Sequence, residues 1–309
     1  MGFSYDELHI PVMAEEVLKL LNPRSGGIYV DCTLGAGGHA ERILEASKPD
    51  GLLIGIDMDE SALKVAGERL KRFGERVKLI HANFAELDRI LDELEIGEVD
   101  GVLMDLGVSW MQLSDPERGF SFQVDGPLDM RMDRRNPVTA MKVVNELSEE
   151  ELRRIIREYG EERYAGRIAR KIVSMREIAP ITTTGQLARV IESAVPPKAR
   201  RGRIHPATRT FQAIRIYVNR ELENLERGLK SAIERLRPGG RICVISFHSL
   251  EDRIVKRTLK SSPELKVLTK KPLRPSEEEI KRNPRSRSAK LRAAEATSTD
   301  SGGGKEVGG

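Results

Sequence analysis

The sequence predicts an α/β fold: a doubly wound, mostly parallel seven-stranded sheet with an inserted all-helical domain. Three observations carry this expectation. Strand and helix signals alternate through the first hundred or so residues, the pattern of a parallel sheet covered by helices on both faces. A glycine-rich turn, Asp31-Cys32-Thr33-Leu34-Gly35-Ala36-Gly37-Gly38-His39, sits between the first strand signal and a helix signal. The alternation then stops for about a hundred residues before strand signals return.

Taken in order, the strand candidates are Ile28–Asp31, Leu52–Asp57, Val77–His81 and Val99–Asp105. The helix candidates between and around them are Val12–Leu21, Ala40–Ser47, Glu60–Phe73 and Phe84–Leu94. Leu63, Ala66, Leu70 and Phe73 recur at helical spacing in the third helix, and Phe84, Leu87, Leu91 and Leu94 in the fourth. The crossovers should be right-handed. From Asp115 to Arg215 the signals are helical. Leu152, Ile155, Ile156 and Tyr159 form one apolar face, Ile168 and Ile172 another, and Leu187, Val190, Ile191 and Ala194 a third. Pro116, Pro127, Pro137, Pro180 and the Pro196-Pro197 pair punctuate them. One long helix follows, with Phe211, Ile214, Val218, Leu222 and Leu225 on one face, and it stops at Arg237-Pro238-Gly239-Gly240. Arg241–Ser246 resumes the sheet, and Leu265–Leu268 with Ala289–Ala293 forms a final antiparallel pair. The expected organisation is a discontinuous sheet domain, residues 1–114 and 216–296. Residues 115–215 form the inserted helical domain, and 297–309 a disordered tail.

Length and composition narrow the class. A chain of 309 residues can bury one large core plus a further module. Mean hydropathy is −0.41, and no apolar run approaches the roughly 18 residues of a membrane span. No charged-then-apolar signal opens the chain, so the expected location is the cytoplasm, with no membrane partner. Cys32 and Cys243 fall in separate apolar segments, as core strand residues do, rather than as a disulfide or metal pair. Charged residues make up 32% while Asn and Gln are scarce, a balance seen in thermophile proteins. The net charge of +4 permits a polyanionic partner without requiring one.

In open parallel sheets, ligands bind beyond the carboxyl ends of the strands. The glycine turn lies at the first such end. Its glycines permit positive φ, and the helix start behind them offers unpaired N–H groups. Gly35 and Gly37, with Ala40 in third place, fit a dinucleotide fingerprint only loosely. Asp57 ends the second strand 22 residues beyond Gly35, where a carboxylate takes ribose hydroxyls. Asp31, at the tip of the first strand, would repel a pyrophosphate and suits a cation such as the sulfonium and ammonium of S-adenosylmethionine. A methyl-donor site, a dinucleotide site and a glycine turn without ligand all remain open on these residues.

The fourth and fifth strand ends are polar too: Met104-Asp105-Leu106-Gly107-Val108-Ser109 and Ser246-Phe247-His248-Ser249. Every such residue has a plainer reading beside the functional one. Asp57 and Asp105 could cap helices, and His39 could be an ordinary first-turn residue. Phe84 could stack on adenine or belong to the core. His248 could touch substrate or be a satisfied loop histidine. The basic run Lys281–Arg292 carries no carboxylate and is either a solvated face or a phosphate-binding one.

These segments together resemble the ribosomal RNA small subunit methyltransferase H (MraW) family over nearly the whole chain, from His9-Ile10-Pro11-Val12-Met13 to about Glu295. The landmarks are the glycine turn, Asp105-Leu106-Gly107-Val108-Ser109, Arg118-Gly119-Phe120-Ser121-Phe122 and Gly126-Pro127-Leu128-Asp129-Met130-Arg131-Met132. Three more follow. They are His205-Pro206-Ala207-Thr208-Arg209-Thr210-Phe211-Gln212, Ser246-Phe247-His248-Ser249-Leu250-Glu251-Asp252-Arg253 and Asn283-Pro284-Arg285-Ser286-Arg287-Ser288-Ala289-Lys290-Leu291-Arg292. The resemblance implies a Rossmann-like class I methyltransferase that uses S-adenosyl-L-methionine. It implies methylation of the exocyclic N4 amine of a cytidine in the decoding region of 16S rRNA, with the RNA or the small ribosomal subunit as partner. Donor contacts carried over by position are Gly37, Gly38, His39, Asp57, Phe84, Asp105 and Gln112. The Asp/Asn-Pro-Pro-Tyr/Phe motif of related DNA amino-methyltransferases is replaced here by Asp105-Leu106-Gly107-Val108, so base stacking on that motif is not expected.

On this reading Asp105 either orients the amine by accepting its hydrogens or only holds the donor. Arg209 of the insert, with Ser246, His248 and Ser249, is expected to hold the cytidine. No metal is expected, because no His/Cys cluster has ligand spacing. The rival functions are a nicotinamide-dependent oxidoreductase, a methyltransferase acting on DNA or protein, and a non-catalytic RNA-binding assembly factor.

Overall fold

Four strands fall where the alternation predicts them: β1 (Ile28–Asp31), β2 (Leu52–Asp57), β3 (Val77–His81) and β4 (Val99–Asp105). β5 (Leu236–Ser246), β6 (Leu265–Val267) and β7 (Lys290–Ala296) complete one sheet in the order β3-β2-β1-β4-β5-β7-β6. β1 to β5 are parallel, and β7 runs antiparallel to both β5 and β6. The expected seven-stranded, mostly parallel architecture is therefore present. The computed structural model describes residues 10–200, 202 and 204–298. His9 and residues 299–309 of the expected tail lie outside them. Thr297, the first residue assigned to that tail, donates its N–H to Glu264 O at 2.8 Å and extends the β7–β6 pairing.

The central strands read as unbroken apolar runs because both of their faces are buried. Successive side chains then go to different cores, as the strand period of two requires. Ile54, Val102 and Val244 pack with Leu87, Leu91 and Leu229 on one face. Leu53, Leu103 and Cys243 pack with Val17, Ile43 and Leu44 on the other. Cys32 belongs to the first core and Cys243 to the second, and both are free and buried. Burial pushes both thiols up, Cys243 to about 12, so they behave as small apolar groups.

The chain divides into two compact units. The first contains the sheet: among the described residues, 10–57, 61–107 and 224–298. The second contains the described residues of 58–60 and 108–223, where 115–215 marks the insert expected from the sequence. In the second unit, helices Glu149–Glu158, Ala165–Arg176, Thr184–Ala194 and Ala207–Asn219 enclose Leu152, Ile156, Ile168, Ile172, Leu187, Ile191 and Ile214. Ser148 with Glu151, and Thr183 with Gln186, form reciprocal capping boxes that satisfy the first amides of two of these helices.

Four local expectations need correction. The long helix through Phe211 and Leu225 is two helices, Ala207–Asn219 and Glu221–Glu234. Arg220 between them adopts a left-handed conformation (φ 50°), and its N–H returns to Ile216 O. The buried Asn219 amide fixes the break by donating to Met130 O and Arg215 O and accepting from Met132 N. The apolar stripe runs on across it because it serves two cores: Phe211, Ile214 and Val218 pack in the second unit, Leu225 in the first. The helix ends at Glu234, not at Arg237, and Pro238-Gly239-Gly240 forms an irregularity inside β5. Leu236 pairs with Val99 before a register shift brings Arg241 opposite Gly101. The helix predicted from Phe84 begins as a 3-10 turn, Phe84–Glu86, capped by Asn83. Residues 119–139, read as helical, hold no regular element. Their backbone is satisfied by non-repeating backbone bonds, such as Leu128 N–H to Thr182 O and Met130 N–H to Arg118 O, and by side chains. Arg131 grips Asp129 and donates to the carbonyls of Arg134 and Asn136, and the Asn136 amide donates to Val218 O.

Candidate active site

In the first unit, the carboxyl ends of β1, β2 and β4 carry three carboxylates and a histidine. Asp31, at the tip of β1, is 1% exposed and accepts the Thr33 N–H at 3.2 Å. Burial is the main cause that pushes its carboxyl up to about 7, and the neighbouring Asp105 and Asp57 charges push the same way. His39 and the Thr33 amide pull it back. The turn leaves β1 through Cys32, whose N–H reaches Leu103 O, and Leu34, whose N–H reaches Ile56 O. Gly35 (φ 52°) then donates its N–H to Asp57 Oδ2 at 2.8 Å. Asp57 thus holds the turn, a role distinct from the helix cap its position also allowed.

Gly37 (φ 79°) is the residue before helix Gly38–Ala46, and an added Cβ there would lie 3.3 Å from Leu70. Gly38 has ordinary φ, but its Cβ would press on the Pro11 ring at 3.3 Å. Close packing thus adds a second reason for each of these two glycines. His39, buried in the first turn of that helix, places Nε2 3.6 Å from Asp105 Oδ2, beyond hydrogen-bond length. His39 Nε2 and Asp105 Oδ1 are buried and have no hydrogen-bond partner. Buried polar atoms in folded proteins are nearly always paired, and two orphans on neighbouring side chains mark a place for a ligand. The Asp105 N–H is held by the Thr33 hydroxyl at 2.6 Å. Thr33 therefore ties the β1 turn to the end of β4.

Phe84 follows β3 and is half-buried. Its ring lies against Gly228 of helix Glu221–Glu234, where any Cβ would overlap it. The ring is both a packing group and a partly open aromatic face. At the end of β5, Ser246 is buried and its hydroxyl donates to Lys290 O at 3.4 Å. His248 caps helix Ser249–Ser261 through Nδ1, which accepts the Glu251 N–H. Glu251 Oε2 returns the bond to the Phe247 and His248 amides. His248 Nε2 lies 3.1 Å from Glu251 Oε1 in a geometry that makes no hydrogen bond. The capping box fixes His248 at the start of this helix and leaves its Nε2 without a hydrogen-bond partner.

Gln112 and Arg209 belong to the second unit. Gln112 is buried on the short helix Trp110–Ser114. Its Oε1 accepts the Ser109 N–H and its Nε2 donates to Asp59 Oδ2. Asp59 also takes Arg118 at 2.6 Å, and Arg118 donates onward to the carbonyls of Arg131 and Met132. Arg209 is exposed on helix Ala207–Asn219 and donates to Glu161 O at 3.3 Å. Near it in sequence, the His205 and Phe211 rings both pack on Phe122, with centroids 4.7 and 4.8 Å away. The structure therefore brings Gly37, Gly38, His39, Asp57 and Asp105 to one sheet edge of the first unit, whereas Gln112 and Arg209 stand on the other unit. Sequence reasoning assigned no part to Thr33, Gly228, Asp59 or Arg118. Their partners lie about 50 to 150 residues away along the chain, so no local spacing announces them.

The chain matches the MraW methylase family over residues 6–297. It is 58% identical over 295 residues to the ribosomal RNA small subunit methyltransferase H of Thermotoga neapolitana, with 94% of this chain and 97% of that protein covered. The protein of the same name from Symbiobacterium thermophilum is 55% identical over 303 residues, covering 92% and 95%. Among solved structures, an rRNA methylase from Streptococcus thermophilus aligns with a TM-score of 0.42 and 11% identity, covering 92% of this chain and 93% of that one. The likeness to that structure is too slight to bear on function.

Proposed function

The chain belongs to the MraW methylase family, and from that premise we propose that it methylates the exocyclic N4 amine of a cytidine in the decoding region of 16S rRNA. It is a methyltransferase and its methyl donor is S-adenosylmethionine. The observation that carries the donor assignment is the charge at the strand tips. Asp31, Asp57 and Asp105 gather where a pyrophosphate would need cations, and two buried polar atoms, on His39 and Asp105, stand without partners. Such a set fits a ligand that is cationic and rich in hydrogen-bonding groups. The residues proposed to hold it are Gly37, Gly38, His39, Asp57, Phe84 and Asp105, and the family resemblance adds Gln112.

When bound, S-adenosylmethionine supplies an electrophilic methyl group on a sulfonium. The chain's own task is to present the acceptor. Cytosine's N4 shares its lone pair with the ring, so the nitrogen must be turned and held in line. Positioning of this kind lowers barriers by several kcal/mol, up to about 7–11 in ideal cases. Asp105, rigid through its N–H bond to Thr33, has an unpartnered Oδ1 that accepts an amine hydrogen and so directs the lone pair. No strong base is needed, because the nitrogen becomes acidic once methylated. A base reacting at its edge must leave its stack, and Arg209, Ser246, His248 and Ser249 are the proposed contacts for the extruded cytidine. The helical unit, with its exposed Arg209, is the proposed substrate-recognition part. The substrate is 16S rRNA or the small ribosomal subunit, and the site of action is the cytoplasm. Among the described residues, no helix is long and apolar enough to cross a membrane.

The test compares Asp105→Ala with Arg209→Ala. Donor binding is measured by calorimetry, and methylation is mapped by mass spectrometry of small-subunit RNA. Asp105→Ala should weaken both, while Arg209→Ala should lower methylation at least tenfold and leave donor binding within twofold. Equal losses of donor affinity would overturn this division of labour. RNA binding without product by the intact protein would make it an assembly factor.

A further inference from the structure

Positive charge is concentrated in one stretch of this chain. Residues 253–292 hold fourteen lysines and arginines against four glutamates, a surplus of ten in a chain whose net charge is +4; the rest is therefore six negative. The pairing of these charges is uneven too. On the remainder of the sheet unit, Arg42, Arg72, Arg89, Arg235 and Arg241 each meet a carboxylate. In the basic stretch, Lys290 and Arg292 share Asp252. By contrast, Lys270, Lys271, Arg274 and Arg287 are exposed, and among the described residues none of them has an ion pair.

Topology puts these four cations at one place. β7 runs antiparallel to β5, with Ser246 opposite Lys290, so β7 starts at the edge where β5 ends. β6 runs antiparallel to β7 and therefore ends at that same edge. Lys270, Lys271 and Arg274 follow the end of β6. Leu273 bonds Leu291 in both directions (2.9 and 3.0 Å), which returns this segment to the start of β7. Arg287 lies just before that start. The connection is pinned. Glu279 accepts the Met13 N–H, the Asn283 amide donates to Ile10 O, and the Ser286 hydroxyl donates to Asn283 O. Asp105 ends β4 at this carboxyl edge as well, three strands away in the order β4-β5-β7-β6. At the usual strand spacing that is about 14 Å.

We infer that Lys270, Lys271, Arg274 and Arg287 form a docking face for the RNA phosphate backbone, separate from the pocket that takes the reacting base. A cluster of exposed, unpaired cations on a pinned connection matches a polyanion and releases its counterions on contact. Its place, on the sheet edge where the donor residues lie but displaced toward β6, suits a strand that delivers one nucleotide to Asp105 and is held by its flanking phosphates. The inference rests on the RNA reading of function.

The test is the fourfold variant Lys270→Gln, Lys271→Gln, Arg274→Gln, Arg287→Gln. A control of equal charge change carries Lys19→Gln, Lys71→Gln, Lys78→Gln and Arg227→Gln, on exposed positions elsewhere in the unit. Donor affinity and thermal midpoint report that both variants are folded. The patch variant should raise the KM for small-subunit RNA at least tenfold with kcat nearly unchanged. It should also flatten the slope of log affinity against log salt by about 2 to 3, while the control changes KM less than threefold. Equal effects of the two variants, or an unchanged salt slope in the patch variant, would overturn the docking face. So would binding to anionic vesicles, but not to RNA, that the patch variant abolishes. If the intact protein neither binds nor methylates RNA, the functional reading itself has failed, an outcome distinct from a failure of the patch.

Discussion

Asp31 is a carboxyl group that the fold keeps nearly dry. Burial first, and then the Asp105 and Asp57 charges, raise it to about 7 from an ordinary value of 3.8. Between those two values the folded chain binds more protons than the unfolded chain, so stability falls as pH rises through that window. A cationic ligand reverses the preference by favouring the ionised form. The binding ratio of S-adenosylmethionine to its neutral demethylated product should therefore grow by up to about tenfold between pH 6 and 8. Titration calorimetry at the two pH values checks this, and the growth should vanish in Asp31→Asn. A flat ratio in the unaltered protein would remove Asp31 from the donor's surroundings. Asp31 and Asp57 were readable in the sequence because each ends a short apolar run, where a carboxylate is conspicuous. Thr33 was not, since its bond to Asp105 spans 72 residues and a threonine in a turn has many uses.

Elements were legible where one core decided their pattern. β1, β2 and β4 match their predicted bounds because both faces are buried and each run ends abruptly in polar or turn residues, and β3, the partly buried edge strand, matches as well. The helix pair broken at Arg220 was not legible, since an apolar stripe reports that a side chain is buried but not in which core. Residues 119–139 misled for another reason. Their order comes from Arg131, Asn136 and Asn219 bonding to backbone, a pattern without period. Helix Glu221–Glu234 offers a test at this scale. Gly228→Ala adds a Cβ that overlaps the Phe84 ring. Overpacking of this kind costs about 1–3 kcal/mol, which urea denaturation would register. Because Phe84 is a proposed donor contact, affinity for the donor should drop as well. A loss of stability with donor affinity intact would leave Phe84 as a core residue only.

For the molecule as a whole, the fold class was legible because alternation of elements is a long-range signal that survives local errors of boundary. The concentration of charge in residues 253–292 was visible only in part, as the run Lys281–Arg292, because the topology that adds Lys270, Lys271 and Arg274 to it is not written locally. Ligand linkage gives a global prediction. Donor at a hundred times its Kd should stabilise the sheet unit by about 2.7 kcal/mol. In hydrogen-exchange mass spectrometry, the slowing should centre on the amides from Gly35 to Ala40 and around Asp105. Uniform slowing across both units, or none at the glycine turn, would contradict the placement of the site. The order of the strands has one more consequence. Translation delivers β3, β2, β1 and β4 early, yet β5, the neighbour that covers the far side of β4, is encoded about 130 residues later. At about 5–20 residues per second, the growing polypeptide spends on the order of ten seconds or more with a naked, apolar β4 flank of unmet amides and carbonyls. That is an invitation to mispairing, which the emerging chain must be shielded from until its own fifth strand arrives.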